Sequence, residues 1–545
     1  MTPWTRRQAL TAAGLTAPAV LLGACTGDED QGDPEGESQP ASSPSSPTVA
    51  PDEVVETRTL VTSLAELEID VLPVVRAGAH CVLTVDVTAL RLPEGEDSLL
   101  LHRFSGDATL ARGPVYPEDW AAVRLVDAGG AQVRLAATDE EHTISGRGSG
   151  DALFAKTTRD GVRRQLIFAA PGDDVQHIGV LLPGWYLPEV PVIDGDVPDV
   201  DPIDEEELPD VEAMLAAVAD APVLPLEGYS RQLDGVVEVI ESTEQIEIRL
   251  AGDILFDSSS SSLDDRADDV LEAAARTLRS YDGGVVDVVG HTDDVGEEAD
   301  NLVLSENRAE AVAEDLADRV DPGAYELRTD GRGEKQPLAP NDSDENRQKN
   351  RRVTLTLTSE RTSEVEVETS GEMPPFDPGV LEDGTEADGP EGFDRTLVEG
   401  SRYHISCPSI RRVDGLLEVT VLAERLEGGE LGSYGSSVSL GAGVHSYRGQ
   451  NTGYTRDFAG FAPRLLVGAT AIYPLDYLLG TSRDDEAEEW RIASDGSATD
   501  DFLVGETLRF VALYRDLPGV DTFVLEQPFV LGTTPFRLTG IPVES

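Results

Sequence analysis

Cysteine is nearly missing from this chain, with three in 545 residues. Cys25 stands beside a leader-like segment, so Cys81 and Cys407 remain, and the sequence leaves open one bridge or two separate buried thiols. Positive charge is scarce as well: 42 Lys and Arg face 104 Asp and Glu, a formal charge of −62 and a pI near 4.2. Such a surface argues against nucleic acid or an anionic membrane surface as partner, and suits solubility at high salt or among anionic polymers. Long apolar runs are absent too. The run at residues 12–22 is too short to span a bilayer, and no other segment is apolar enough to try. CxxC, HExxH and GxSxG do not occur, and the seven His are not at metal-ligand spacing. The sequence therefore proposes no enzyme, no cofactor and no metal.

What is present begins at the N-terminus. Thr5-Arg6-Arg7-Gln8-Ala9-Leu10 resembles a twin-arginine export signal, and Leu22-Gly23-Ala24-Cys25 resembles a lipobox, at which a signal peptidase cuts before a diacylated cysteine. The resemblance implies a signal over residues 1–24, lipidation of Cys25, and a chain exported to the outer face of the cytoplasmic membrane. An ordinary cysteine at 25, and the general secretory route, are the alternatives. Residues 25–53, rich in Ser, Pro, Gly and acid without apolar periodicity, are expected to form a disordered tether. Nearly extended it would reach on the order of 80–90 Å.

Two further acidic, Pro-containing stretches divide the remainder. Residues 194–235 open with DGDVPDVDPIDEEE, which lacks the ligand order and glycine of a calcium loop and reads as a solvated spacer, with a short helix expected over 214–218. Residues 360–394 form the other. They separate three regions, 54–193, 236–359 and 395–545, each of domain size.

The two outer regions alternate with period two and read as all-β. They also match one another. VLTVDVTALRL at 82–92 lies without gaps on LLEVTVLAERL at 416–426, and Val123-Arg124-Leu125-Val126 has a counterpart in Pro463-Arg464-Leu465-Leu466. Both regions close on a strand pair around a Pro-Gly turn, within 166–192 and 508–543, and end in VPV or IPV. Three matches in one order predict two related β-sandwiches. Their endings loosely resemble immunoglobulin-like domains.

The middle region carries the chemistry. GHTDDVGEEADNLVLSENR, residues 290–308, sets an acid in a Gly-containing loop after an apolar run and then opens a helix. Arg308 lies four residues from Leu304 and four from Val312, so it shares their face. A guanidinium on an apolar stripe is costly unless an anion meets it. Asp293, at the mouth of the preceding strand, is expected beside it. On the residues alone the two fit either a ligand-binding pair or an internal ion pair.

With its neighbours this segment resembles the OmpA-like peptidoglycan-binding family, which includes Pal lipoproteins and the MotB stator. The resemblance covers residues 245–359: IEIRLAGDILFD, an amphipathic helix with Leu263, Ala267, Val270, Leu271, Ala274 and Leu278, the GHTD loop, N-x-x-LS-x-x-RA, GRGEKQP and NRRVTLTLT. It implies a β/α sandwich with two helices on one mixed sheet, and the diaminopimelate of peptidoglycan stem peptides as ligand. Carried over by position, Asp293 would meet the ammonium and Arg308 the carboxylate, Asn301 would add hydrogen bonds, Arg351 would close the site, and Asp257 would hold the family's F-D position after Phe256. Val295 stands where many relatives carry a small polar residue. The whole chain thus reads as multidomain α+β: a lipid-anchored, non-enzymatic peptidoglycan binder whose sandwiches meet an envelope protein partner or the wall. A wall-localised enzyme and a solute or signalling receptor are the alternatives.

Overall fold

The computed structural model describes residues 49–100 and 371–428 with short breaks, 122–139, 156–200 except 160, 211–358 except 243–244, 463–494 except 482–487, and 503–544 except 529–533. The expected signal, Cys25 and the tether up to residue 48 lie outside the described residues.

Period-two alternation becomes strand throughout the first region. Its strands are β1 (Glu56–Val61), β2 (Glu66–Ala77), β3 (His80–Arg91), β4 (Arg124–Asp127), β5 (Gln132–Leu135), β6 (Val162–Ala169), β7 (His177–Leu182) and β8 (Trp185–Asp194). The hydrogen-bonded path runs β5-β4-β7-β8-β2-β3-β6, with β1 beside β2. The sheet folds back on itself, so Leu67, Ile69, Leu83 and Val85 from one half share a core with Leu125, Ile178 and Val180 from the other. Every second residue of β3 from Cys81 to Ala89 points into that core, which is what the alternation demands.

After it come α1 (Val211–Ala217), β9 (Val223–Pro225) and β10 (Gly228–Gln232), all from the stretch expected to be a spacer. Met214 of α1 packs on Val82 and Ile167, and β9 extends the first sheet beyond β5. The central region adds β11 (Val237–Glu241), β12 (Gln245–Ala251), α2 (Gly252–Leu255), α3 (Ala267–Arg279), β13 (Gly284–His291), α4 (Glu298–Ala317), β14 (Tyr325–Gly333), α5 (Asp344–Asn350) and β15 (Arg352–Thr358). Its sheet runs β14-β13-β15-β12-β11-β10, with β13 and β14 parallel and the other joints antiparallel. Helices α3 and α4 lay Leu271, Ala274, Val312 and Leu316 on Ile248, Val286, Val288 and Leu355. This is the mixed sheet with two helices that the sequence predicted.

The last region repeats the first. Its strands β16 (Phe393–Thr396), β17 (Arg402–Ser406), β18 (Ile410–Val413), β19 (Leu416–Glu427), β20 (Arg464–Val467), β21 (Thr470–Ile472), β22 (Thr507–Arg515), β23 (Thr522–Gln527) and β24 (Phe536–Glu544) follow the path β21-β20-β23-β24-β18-β19-β22. Joint for joint this is the order of the first region, including one parallel contact, β8 on β2 there and β24 on β18 here. Strands β3 and β19, aligned from sequence, hold the same place, as do β4 and β20. One detail differs from expectation. In the first region β7 and β8 do pair around Pro183-Gly184. The turn at Pro171-Gly172 and its counterpart at Pro518-Gly519 close no strand pair, because β6 ladders with β3, and β22 pairs with β19 while β23 pairs with β20 and β24. Each of these last two turns carries the chain across the core from one half of the sheet to the other.

The two sandwiches bury unlike faces against each other. Val126, Val133, Leu181 and Tyr186 of the first meet Leu416, Tyr477, Val511 and Leu513 of the second. The counterpart faces are covered as well: Val82 and Ile167 by α1, and Leu466, Ala471 and Val524 by Tyr229 of β10, which also pairs antiparallel with β21. A head-to-tail stack of like domains leaves an unpaired face at each end. Here a helix closes one end and the central sheet the other. Cys81 and Cys407 are free and buried in different cores, and burial pushes both thiols up to about 12. They are two separate thiols.

Candidate functional site

The site is assembled where β13, α4 and the start of β15 converge. Gly290, near the end of β13, lets α4 come so close that a Cβ there would overlap the Ser305 carbonyl oxygen. Gly331 on β14 is needed for the same reason, against the Glu306 backbone and the Ser305 hydroxyl. The hydroxyl itself accepts the Gly333 amide at 2.9 Å. This close packing of helix on sheet sets the loop 292–297 and the first turn of α4 side by side. Thr292 continues the β13–β14 pairing by donating to the Gly333 carbonyl, which fixes where Asp293 leaves the sheet.

Asp293 is buried, and its carboxylate is engaged on both oxygens. Oδ1 accepts the Val295 amide at 3.2 Å and Oδ2 accepts Nη1 of Arg351 at 2.7 Å. Arg351 also places Nε and Nη2 on the two oxygens of Asp253, at 2.7 and 2.6 Å, in a bidentate clamp. Two acids therefore hold this guanidinium, with Asp253 contributing most to raising its proton affinity. The internal ion pair between Asp293 and Arg308, which the sequence left open, does not form; Asp293 pairs with Arg351. Arg351 stands here as the bridge between two carboxylates.

Arg308 is the exception. It lies on the inner face of α4, 5% exposed, with Ser305, Ala309 and Val312. Leu304, expected on the same stripe, is only half-buried. Nε of Arg308 donates to the Ser260 carbonyl at 2.9 Å, and the guanidinium lies 5.0 Å from the centre of the Phe256 ring. Among the described residues no carboxylate comes within ion-pair distance, and its two terminal nitrogens have no protein partner. Burial lowers its proton affinity. Arg351 adds to that, while Asp253 and Asp293 act against it, so these four charges share one field.

Asn301 is buried in the first turn of α4, not in the loop. Its amide donates to the Asp293 carbonyl at 3.3 Å and to Glu334 at 2.8 Å, so its donors tie loop, helix and GRGEKQP segment together. Asp257 is not brought to the others. It is exposed, and its carbonyl accepts the Ser260 amide in a turn where Ser259 has φ of 59°. Through that turn it aims the Ser260 carbonyl at Arg308. Val295 is exposed and offers the site only its backbone amide.

Sequence reasoning missed Asp253 and Asn350. Asp253 falls in the first turn of the four-residue α2, a place where an acid is usually read as a helix-end residue. Asn350 is fully buried. Its side-chain oxygen accepts the Leu338 and Ala339 amides at 2.8 and 3.0 Å, and its nitrogen donates to the Ala339 carbonyl and to Asn341, both at 2.8 Å. It fixes the loop before α5 and thus the start of β15, where Arg351 stands. Behind the site His291 is buried beside Arg352, Arg332 and Arg249. Burial first, then those cations, push it down to about 3, so it is neutral at ordinary pH.

The comparisons with known proteins fall on this same segment. The OmpA family pattern matches residues 255–351. The probable lipoprotein YiaD of Escherichia coli is 37% identical over 122 residues, 22% of this chain and 55% of that protein. The outer-membrane lipoprotein YfiB of Pseudomonas aeruginosa is 33% identical over 114 residues, 21% of this chain and 67% of that protein. This chain belongs to the OmpA family. The peptidoglycan-binding protein ArfA of Mycobacterium bovis is 35% identical over 106 residues, 19% of this chain and 32% of that protein. The OmpA-family segment spans about half the length of the first curated relatives it matches. Asp293, Arg308 and Arg351 lie within the matched segment and Asp253 stands two residues before it, while the sandwiches lie outside it.

Proposed function

We propose that this protein is a lipid-anchored, non-enzymatic peptidoglycan-binding protein of the cell envelope, gripping diaminopimelate-type stem peptides through Arg308 and Asp293. The observation that carries the reading is the state of Arg308. A buried guanidinium is retained at a cost, and among the described residues two of its nitrogens have no protein acceptor. A carboxylate is the group that fits that fork. Beside it Asp253 and Asp293 provide negative charge for an ammonium. Diaminopimelate ends in both groups on one carbon, and the name of the mycobacterial relative, a peptidoglycan-binding protein, points to the same polymer. Asn301 and Asn350 position the walls of the site.

Cys25 would hold the chain to the outer face of the cytoplasmic membrane, and residues 25–53 would span the gap to the wall. Two of the similar proteins are lipoproteins by name. The stacked sandwiches would act as a stiff arm and offer surface to an envelope protein. The receptor alternative has a weaker basis. A cleft of about 210 Å³ lies between the sandwiches, lined by Leu60, Trp185, Leu422, Thr507 and Arg509. That is below the roughly 300–1,000 Å³ of typical small-molecule sites.

The test is retention on insoluble peptidoglycan, comparing the whole chain with Asp293→Ala and Arg308→Ala. Strong retention lost in both variants is expected, and full retention by either sinks the assignment of this site. In cells, Cys25→Ser should move the protein out of the detergent phase of membrane extracts. Unchanged partition would contradict the anchor.

A further inference from the structure

The charge arrangement around Arg351 has a consequence for selectivity, and it rests on the reading just given. Arg351 commits Nε and Nη2 to Asp253 and Nη1 to Asp293. Arg308 commits one donor to a backbone carbonyl. These four groups are two negative and two positive, and among the described residues Arg308 is the one of the two guanidiniums whose terminal nitrogens have no protein partner to compete with an incoming carboxylate. An anion without an ammonium gains Arg308 but adds a negative charge beside two acids that share the single guanidinium of Arg351. An amine without a carboxylate meets the acids and two guanidiniums. A group carrying both charges satisfies both sides and leaves the site neutral.

We propose that Asp253 is a positioning residue that sets this selectivity. By clamping Arg351 it withholds the second guanidinium from the carboxylate position and keeps the positive and negative halves of the site in balance. Among the described residues Asp253 and Asp293 are the only carboxylates paired with Arg351. With Asp253 neutralised, Arg351 has one acid left, its Nε and Nη2 are released, and the site gains a surplus positive charge. Plain dicarboxylates then become acceptable. Asp253 itself is more than a third exposed, so its ion pair is a minor contributor to stability and its removal leaves the fold in place.

The experiment titrates the whole chain with three small probes: meso-diaminopimelate, pimelate, which lacks the ammonium groups, and cadaverine, which lacks the carboxylates. The wild-type protein should prefer diaminopimelate to both. In Asp253→Asn, diaminopimelate binding should fall about tenfold while pimelate binding holds or rises, so the ratio between them collapses. Asp253→Glu should restore part of the ratio. An equal proportional loss for all three probes, or an unchanged ratio, overturns the role of Asp253 while leaving the binding site standing. Failure of the wild-type protein to bind diaminopimelate overturns the site reading and this proposal together.

Discussion

Two buried arginines, one in a sandwich and one in the OmpA-family domain, show how differently the two parts of the molecule treat charge. Arg124 is 1% exposed. Its Nε donates to the Ala122 carbonyl at 3.3 Å, Nη1 to the Tyr477 hydroxyl at 3.2 Å and the Ile492 carbonyl at 3.1 Å, and Nη2 to the Ser494 carbonyl. These bonds cross from the first sandwich to the second, so Arg124 ties them together. Elsewhere in the second sandwich Glu526 is held between Arg464 and Arg537, again an internal set. Arg308 is buried almost as deeply, yet the protein supplies one hydrogen bond and one aromatic face. A charge satisfied internally is a structural tie, whereas a buried charge left incompletely paired is a candidate for a ligand.

That contrast breaks if the two arginines respond alike to substitution. The largest effect should be on binding by Arg308→Met: a desolvated charged hydrogen-bond pair is lost, about 2–4 kcal/mol, or roughly thirty- to a thousandfold in affinity for peptidoglycan. Thermal stability should hold or rise, because an apolar side chain of similar length replaces an incompletely paired cation. Arg124→Met should do the reverse, leaving peptidoglycan binding intact while stranding the Ile492 and Ser494 carbonyls. A loss of about 2–4 kcal/mol in chemical denaturation is expected. Unfolding of comparable size in Arg308→Met would show that Arg308 is a structural tie as well.

Smaller effects sharpen the comparison at the ends of the stack. Met214→Asp puts a carboxylate against Val82 and Ile167 and should free α1, costing about 1–3 kcal/mol, with fast hydrogen exchange confined to residues 211–217 and their neighbours. Exchange spreading into the OmpA-family domain would mean that the cap is coupled to the site. A further effect concerns pH. His291 has a folded value of about 3 against an ordinary 6.5. The unfolded chain therefore takes up this proton first, and the associated stability is complete above about pH 6.5 and is lost as pH falls toward 3. His291→Gln should flatten that part of the stability profile, and an unchanged slope would show that the imidazole is not shielded from protonation.

Much of this was legible in the sequence, for physical reasons that differ by region. Strands β3 and β19 declared themselves because one face is buried, which enforces strict alternation in VLTVDVTALRL and LLEVTVLAERL. The GHTD and GRGEKQP segments were legible because close packing of α4 on β13 and β14 demands Gly290 and Gly331. The pairing of charges was not. Asp293 and Arg351 are distant in sequence, and which guanidinium reaches a carboxylate depends on side-chain reach across the fold, which periodicity does not encode. Asp253 was hidden for the same reason. The acidic stretch 194–235 misled because its composition is that of a solvated spacer, while Met214, Leu224 and Tyr229 within it each complete a neighbouring core.

The most direct test of the central claim compares retention of the wild-type protein on two insoluble walls, one with diaminopimelate in its stem peptides and one with lysine at that position. Lysine keeps the ammonium and lacks the terminal carboxylate, so the wall differs by the one group assigned to Arg308. Retention on the diaminopimelate wall, sharply weaker retention on the lysine wall, and no difference between walls in Arg308→Met are the predicted results. Equal retention of the wild-type protein on both walls would contradict the account.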